Sequence, residues 1–182
     1  MNQFTILQNK FDQLNQNLKI NNINYNQELK VIKNGYNWKY VGQVVNGLRE
    51  GKGICYWEDG DLYEGDYRND NKEGKGVYYY NNGDRYEGDF RNDKSEGKGI
   101  MYYPDGDRYE GDWRNDKKEG KGIEYYNDGN RYEGDFRNGK REGKGIYYYN
   151  NGDREMGDYY NGQGIGKHVM LTRNGEVKIN NY

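Results

Sequence analysis

Alanine is absent from this chain, and serine, histidine, cysteine and proline occur once each, as Ser95, His168, Cys55 and Pro104. A hydrolytic triad needs a nucleophile, a base and an orienting group in one cluster, and singletons spread along a linear chain do not supply one. A structural zinc site needs several histidine or cysteine ligands, so none is expected. A single cysteine forms no internal disulfide and fits a reducing compartment. No stretch approaches the roughly 18 apolar residues of a membrane-spanning helix, and mean hydropathy is −1.45. The first residues lack the basic start and apolar run of a signal peptide, which makes a cytoplasmic location the expectation. An excess of one charge is missing too: 28 basic residues stand against 30 acidic ones. No nucleic-acid partner is therefore expected.

What the 182 residues hold instead is 22 tyrosines and 28 glycines. The hydrophobic share is 32% even with tyrosine included, too little for a thick aliphatic core. Self-similarity explains the bias. Segments beginning at Tyr40, Tyr63, Tyr86, Tyr109 and Tyr132 are each 23 residues long and follow one another without insertion, and a degraded sixth copy runs from Glu155 to Val177. In each, a first piece alternates with period two, as in Tyr86-Glu87-Gly88-Asp89-Phe90-Arg91, which separates the aromatics and glycine from the charges. A polar link leads to a second piece, such as Gly99 to Tyr103, and Asn-Asn-Gly-Asp or Pro-Asp-Gly-Asp closes the unit with turn chemistry. The expected fold is all-β, one antiparallel meander sheet of β-hairpins.

Positions repeated within the chain indicate the packing. Ile54, Val77, Ile100, Ile123 and Ile146 form one ladder, and Tyr56, Tyr79, Tyr102, Tyr125 and Tyr148 form another. Between them, Cys55, Tyr78, Met101, Glu124 and Tyr147 vary as exposed positions do. Gly42, Gly65, Gly88, Gly111, Gly134 and Gly157 recur inside the first strand, which suggests an aromatic ring lying across bare backbone. Which ring covers which glycine depends on a register that the sequence leaves open.

The unit resembles the MORN repeat, Tyr-Glu-Gly-x-Trp-x-x-Gly followed by Gly-x-Gly and a turn ending in Asp-Gly, and the resemblance covers about residues 40–177. Two departures stand out. Glu50, Glu73, Glu96, Glu119 and Glu142 occupy positions where family units often carry His, and Asp70, Asp93 and Asp116 positions where they often carry Gly. The resemblance implies an elongated, twisted sheet with a groove, often dimeric, used for scaffolding or tethering. MORN units also accompany lipid-kinase and lysine-methyltransferase domains, but about 40 residues outside the repeats are too few for either, so no enzyme and no cofactor is expected.

The ends read differently. Phe4, Leu7, Phe11, Leu14 and Leu18 are spaced three and four apart, which predicts an amphipathic helix over residues 1–19, covering its own sheet or docking on a partner. An Asn-rich linker at 20–27 and a cap strand at 28–39 precede five repeats over 40–154, and 155–182 holds the degraded copy and a cap hairpin. His168 stands where earlier units have Gly and reads as a buried capping residue.

Other signals are weaker. Gly-Lys-Gly recurs in every full unit and lacks the spacing of a phosphate loop, and Asp105-Gly106-Asp107 lacks that of a calcium loop. Arg68, Arg91, Arg114 and Arg137, with the Lys52-to-Lys144 series, could grip an anion, but acidic ladders run alongside them and predict mutual compensation.

The expectation is a non-enzymatic structural protein that docks other proteins in a cytoskeletal assembly, possible homodimers included. The Asn and Gln excess suggests an AT-rich protist genome, and MORN proteins there imply the cilium and its axoneme. The residues expected to meet partners are Tyr63, Tyr67, Tyr86, Phe90, Tyr109, Trp113, Tyr132 and Phe136, together with the helix stripe. The alternative is a phosphoinositide-binding tether, in which the four arginines would meet anionic lipid.

Overall fold

The computed structural model describes residues 30–33 and 38–182. The helix stripe from Phe4 to Leu18 and the linker at 20–27 lie outside the described residues. Fourteen strands form one antiparallel sheet whose strand order is the chain order. They are β1 (Lys30–Lys33), β2 (Trp38–Val45), β3 (Leu48–Trp57), β4 (Leu62–Arg68), β5 (Asn71–Tyr79), β6 (Arg85–Arg91), β7 (Lys94–Tyr102), β8 (Arg108–Arg114), β9 (Lys117–Tyr125), β10 (Arg131–Arg137), β11 (Lys140–Tyr148), β12 (Arg154–Tyr160), β13 (Gln163–Leu171) and β14 (Val177–Asn181). The chain divides into two compact units, Met1–Asp93 and Lys94–Tyr182.

Two-residue turns join the strands of each hairpin, and they account for the aspartates. Asn69 and Asp70, and likewise Asn115 and Asp116, take positive φ between 47° and 68°. This is the mirror-image turn that matches the twist of the flanking strands. Such a conformation costs a non-glycine residue some stability, and a side-chain hydrogen bond offsets it. The Asp70 carboxylate accepts from the Arg49 N–H at 2.7 Å, and Asp116 from the Ser95 N–H at 2.7 Å. Gly139, at the same place one repeat later, keeps only the main-chain bond to Lys118 O. The glutamates work at the same margin: Glu73 Oε2 accepts from Asn92 N in the first unit, and Glu119 and Glu142 accept from Asn138 N and Asn161 N in the second, all at 3.0–3.1 Å. Both departures from the family pattern therefore stitch one hairpin to the preceding one.

Register settles the two faces. Gly65 pairs with Gly76 in the first unit, and Gly111 with Gly122 and Gly134 with Gly145 in the second. The tyrosine two residues before each pair lies across both glycines, so that a Cβ added at Gly122 would sit 2.5 Å from Tyr109 Cε2. This is the tyrosine face. The opposite, charged face carries the Ile ladder, the glutamates and a row of ion pairs: Lys52–Asp66 and Lys75–Asp89 in the first unit, Lys98–Asp112, Lys121–Asp135 and Lys144–Asp158 in the second, at 2.5–3.2 Å. Their lysines are exposed, so each contributes about 0–1 kcal/mol. In the first unit the charged face begins with an apolar cluster of Val41, Ile54, Tyr56 and Leu62.

Candidate functional site

The eight aromatics expected to meet partners are buried: Tyr63, Tyr67, Tyr86, Phe90, Tyr109, Trp113, Tyr132 and Phe136 are each 6% exposed or less. The expectation is corrected accordingly, because these rings form the core of the repeat. Each glycine-covering tyrosine donates its hydroxyl to the carbonyl three residues on, as from Tyr63 to Asp66 O at 3.0 Å and from Tyr109 to Asp112 O at 2.9 Å. In β6 and β10 the second aromatic stands edge-on to tyrosines of two successive repeats. Phe90 meets Tyr63 and Tyr86 at 5.0 and 5.1 Å between centroids, and Phe136 meets Tyr109 and Tyr132 at 4.9 and 5.5 Å. Edge-to-face pairs of this kind contribute about 0.5–1.5 kcal/mol each beyond their area. Burial pushes the phenol groups of Tyr63, Tyr109 and Tyr132 well above their usual range.

Cys55, Tyr78, Met101, Glu124 and Tyr147 do not vary because they are exposed. Cys55 is fully buried, its thiol pushed up to about 11 chiefly by that burial, and the other four are half-buried on the tyrosine face. Cross-strand pairing with the tyrosines, Glu124 with Tyr109 for instance, puts them there.

Sequence reasoning missed the residue nine positions after each leading tyrosine. Arg49, Lys72, Lys118 and Arg141 each place a cation among aromatic rings. The Arg49 guanidinium lies 5.1 Å from Trp38 and 4.8 Å from Tyr67, and Lys72 Nζ lies 4.5 Å from Tyr78. In the second unit, Lys118 Nζ lies 4.8 Å from Tyr109, and Arg141 4.5 Å from Tyr132. Glu124 joins the last two, with Oε1 2.6 Å from Lys118 Nζ and Oε2 3.0 Å from Arg141 Nε. Burial alone would raise the Glu124 carboxyl, but Lys118, Tyr126 and Arg141 hold it below the usual carboxylate range. A basic residue recurring in four of five units, amid links whose other residues are polar, was the available signal.

The terminal segment rebuilds this plan with exchanged residues. Glu155 stands at the tyrosine position, and His168 at the position of Gly145 one repeat earlier. The imidazole now covers Gly157 from the neighbouring strand, and its Nε2 meets Asp158 O at 2.9 Å, as Tyr132 OH meets Asp135 O. Glu155 and His168 are 2% and 1% exposed. Glu155 accepts from Tyr149 OH at 2.7 Å, Asn180 Nδ2 at 2.8 Å and Tyr182 OH at 3.0 Å. Burial raises its carboxyl, yet these three donors and His168 hold it below the usual range.

On the charged face the terminal segment changes sign of character. The positions held by Glu133, Arg137 and Glu142 in the fifth repeat are Met156, Tyr160 and Ile165. Register places Met156, Val169 and Ile179 in one row across β12, β13 and β14. These residues, with Tyr160, Ile165 and Val177, are between 39% and 66% exposed. Arg68, Arg91, Arg114 and Arg137 are exposed on this face. Lysine and aspartate compensate each other as expected, but the arginines do not share in it: among the described residues none of the four has an ion-pair partner. No group of three or more His, Cys, Asp or Glu among the described residues is placed to hold a metal.

The family profile for the MORN repeat matches residues 40–62, 63–85, 86–108, 109–131 and 132–154. No curated protein sequence matches the chain. Among solved structures, the chain is similar to the TCP domain of Drosophila melanogaster SAS-4 (dCPAP), solved in complex with a proline-rich motif of Ana2 (dSTIL). The TM-score is 0.51 and the identity 16%, over 85% of this chain and 90% of that one. The CPAP G-box domain matches at a TM-score of 0.35 and 10% identity over 85% and 99% of the two chains. The Danio rerio TCP10 domain of CPAP with a STIL peptide matches at 0.32 and 14% over 84% and 82%. At such identity the first likeness concerns the fold alone, and the other two carry no argument.

Proposed function

This chain belongs to the MORN repeat family, and on that premise we propose that it is a non-enzymatic scaffold docking partner proteins in a cytoskeletal assembly, with the ciliary axoneme as its setting. The observation that carries the reading is the exchange of Glu133, Arg137 and Glu142 for Met156, Tyr160 and Ile165 at equivalent, exposed positions. A solvated face has no physical use for such an exchange, whereas a contiguous exposed apolar row is the mark of an interaction surface. Among the described residues β14 pairs only with β13, so the same region also offers unpaired main-chain groups to an added strand. A second copy of the chain is one partner this surface could take.

The test is extraction of cells with a mild non-ionic detergent. The wild-type chain is expected to stay with the insoluble cytoskeleton in moderate salt. The variant Met156→Glu, Tyr160→Arg, Ile165→Glu, which installs residues that the preceding units already accommodate, is expected to be released. Retention of the variant, or release of the wild type with the lipids, overturns the docking surface. Turnover of a lipid substrate by purified protein would overturn the non-enzymatic part.

One observation favours a second reading, a phosphoinositide-binding tether. In β8–β9 and β10–β11, Arg114 lies opposite Lys117 and Arg137 opposite Lys140, which concentrates positive charge at hairpin ends where anionic headgroups could be bound. Binding to phosphoinositide vesicles would then weaken with salt and on Arg114→Gln with Arg137→Gln. No binding at low ionic strength removes this reading.

A further inference from the structure

The 23-residue frame extends to the last strand, and there one slot is empty. Around Arg141 the frame places Tyr126, Tyr132 and Tyr147 within 5.6 Å of the guanidinium. Moved on by one repeat, Tyr126 becomes Tyr149, Tyr132 becomes Glu155, Tyr147 becomes Met170, and Arg141 becomes Gly164. Where the cation would be lies a cleft of about 310 Å³ lined by Tyr149, Glu155, Tyr182, Gly164 and His168, with Tyr147 and Tyr159.

Of the three rings only that of Tyr149 keeps its place in the frame, but Tyr147, Tyr159 and Tyr182 also line the cleft, and Glu155 adds a carboxylate. The Glu155 side chain is 3% exposed and its oxygens are held by three neutral donors. His168 Nε2 lies 2.9 Å from the Asp158 carbonyl oxygen. Its Nδ1 lies 3.7 Å from Glu155 Oε1, a contact that is an ion pair only when the ring is protonated. Lys178 is on the same face, but its amine pairs with Glu176 at 3.6 Å. Nor can the chain fill the slot from position 164, since a Cβ on Gly164 would approach His168 Cε1 to 2.9 Å. A buried carboxylate in a tyrosine-lined cleft, with no Lys or Arg among the described residues paired to it, is a receptor for such a cation.

We propose that this cleft takes a lysine or arginine side chain from a partner protein, replacing the cation that Arg49, Lys72, Lys118 and Arg141 supply in four of the five preceding units, Ser95 standing at this position in the third. The inference rests on the protein-docking reading and names the chemistry of a partner contact, on the face opposite the exposed apolar row. Both cations suit the slot, because the chain itself uses Lys and Arg in it.

His168 is the only histidine in the chain and lines the cleft, so its ring protons report on occupancy without labelling. The experiment titrates the full chain with Nα-acetyl-lysine methylamide, its Nε-acetylated neutral form and Nα-acetyl-arginine methylamide, following the His168 signals by NMR. The two charged probes are expected to move these signals saturably in the millimolar range, and the neutral form to leave them in place. Glu155→Gln should weaken the charged probes at least about tenfold. Should that variant fail to melt cooperatively, Tyr149→Leu serves instead, removing one wall while keeping the charge. Signals that stay still with the charged probes, or move equally with the neutral one, overturn the proposal. If the charged probes bind but the wild-type chain is released in the extraction test, the slot binds cations and a protein source for the cation is overturned. If capture occurs and the probes do not bind, the docking reading stands and this inference falls.

Discussion

The fifth repeat lays the Tyr132 ring over Gly134 and Gly145 and fills the space beside it with Arg141, while the segment after it lays His168 over Gly157 and leaves that space open. The first slot is occupied in both, from opposite strands, because exposed main chain between two glycines must be covered by something flat that can also reach the carbonyl three residues past the leading position. The second slot is optional. Where Arg141 fills it, a carboxylate and two cations lock successive units together, and where it is open the chain stays folded around a carboxylate held by three hydrogen-bond donors with His168 beside it. The strand surface behind changes in parallel, from charged and self-compensating to apolar.

Glu124→Gln should have the largest effect on this contrast. It leaves Lys118 and Arg141 without their shared carboxylate in a half-buried setting and should cost about 3 kcal/mol in urea denaturation. Glu155→Gln, at a carboxylate held chiefly by hydrogen-bond donors, should cost about 1–2 kcal/mol. Equal losses would erase the distinction between the filled and open slots. Next come the ring slots. Gly145→Ala, with its methyl inside the Tyr132 ring, should lose about 2 kcal/mol, and Gly164→Ala, meeting only the edge of His168, about 1 kcal/mol.

The acid limb separates the two regions again. Glu124 and Glu155 are both held below their ordinary value of 4.5. The stability each contributes is therefore fully present above about 4.5 and lost as pH falls through the lower folded value. Glu124→Gln and Glu155→Gln should each flatten the fall in melting temperature below pH 4.5, and a variant that leaves the slope unchanged would show its carboxylate to be uncoupled from folding. The smallest change in stability is expected for Met156→Glu, Tyr160→Arg, Ile165→Glu. Calorimetry should find it within about 0.5 kcal/mol of wild type, since these residues already fit the equivalent positions. A large loss would mean that the apolar row packs within the chain.

Much of the fold was legible. The alternation in Tyr86–Arg91 and the Asn-Asn-Gly-Asp and Pro-Asp-Gly-Asp turns are local signals, and they set strand, hairpin and order, whereas the Asn-Asp turns read only as a polar link. Gly111 and Gly134 were recognisable as sites of ring coverage, since glycine inside a strand needs a reason. The face on which Tyr63, Phe90 or Trp113 would be used was not legible, because an aromatic alternating with charge reads identically whether its side is a core or a docking surface. The cation slot was hidden for a related reason: Lys118 and Glu124 are six residues apart in one strand, and only pairing with β8 and β10 surrounds them with rings from two units.

By itself, then, the sequence determined the 23-residue unit, its two strands and turns, and the place where the repeat decays into Glu155 and His168. These depend on backbone preferences acting over a few residues. Only the tertiary structure decided that the tyrosines are spent on their own glycines, that Lys118, Glu124 and Arg141 meet, and that the final unit keeps an open slot beside a buried carboxylate. Those outcomes depend on contacts between side chains about one repeat apart, which exist only once neighbouring hairpins have paired in register.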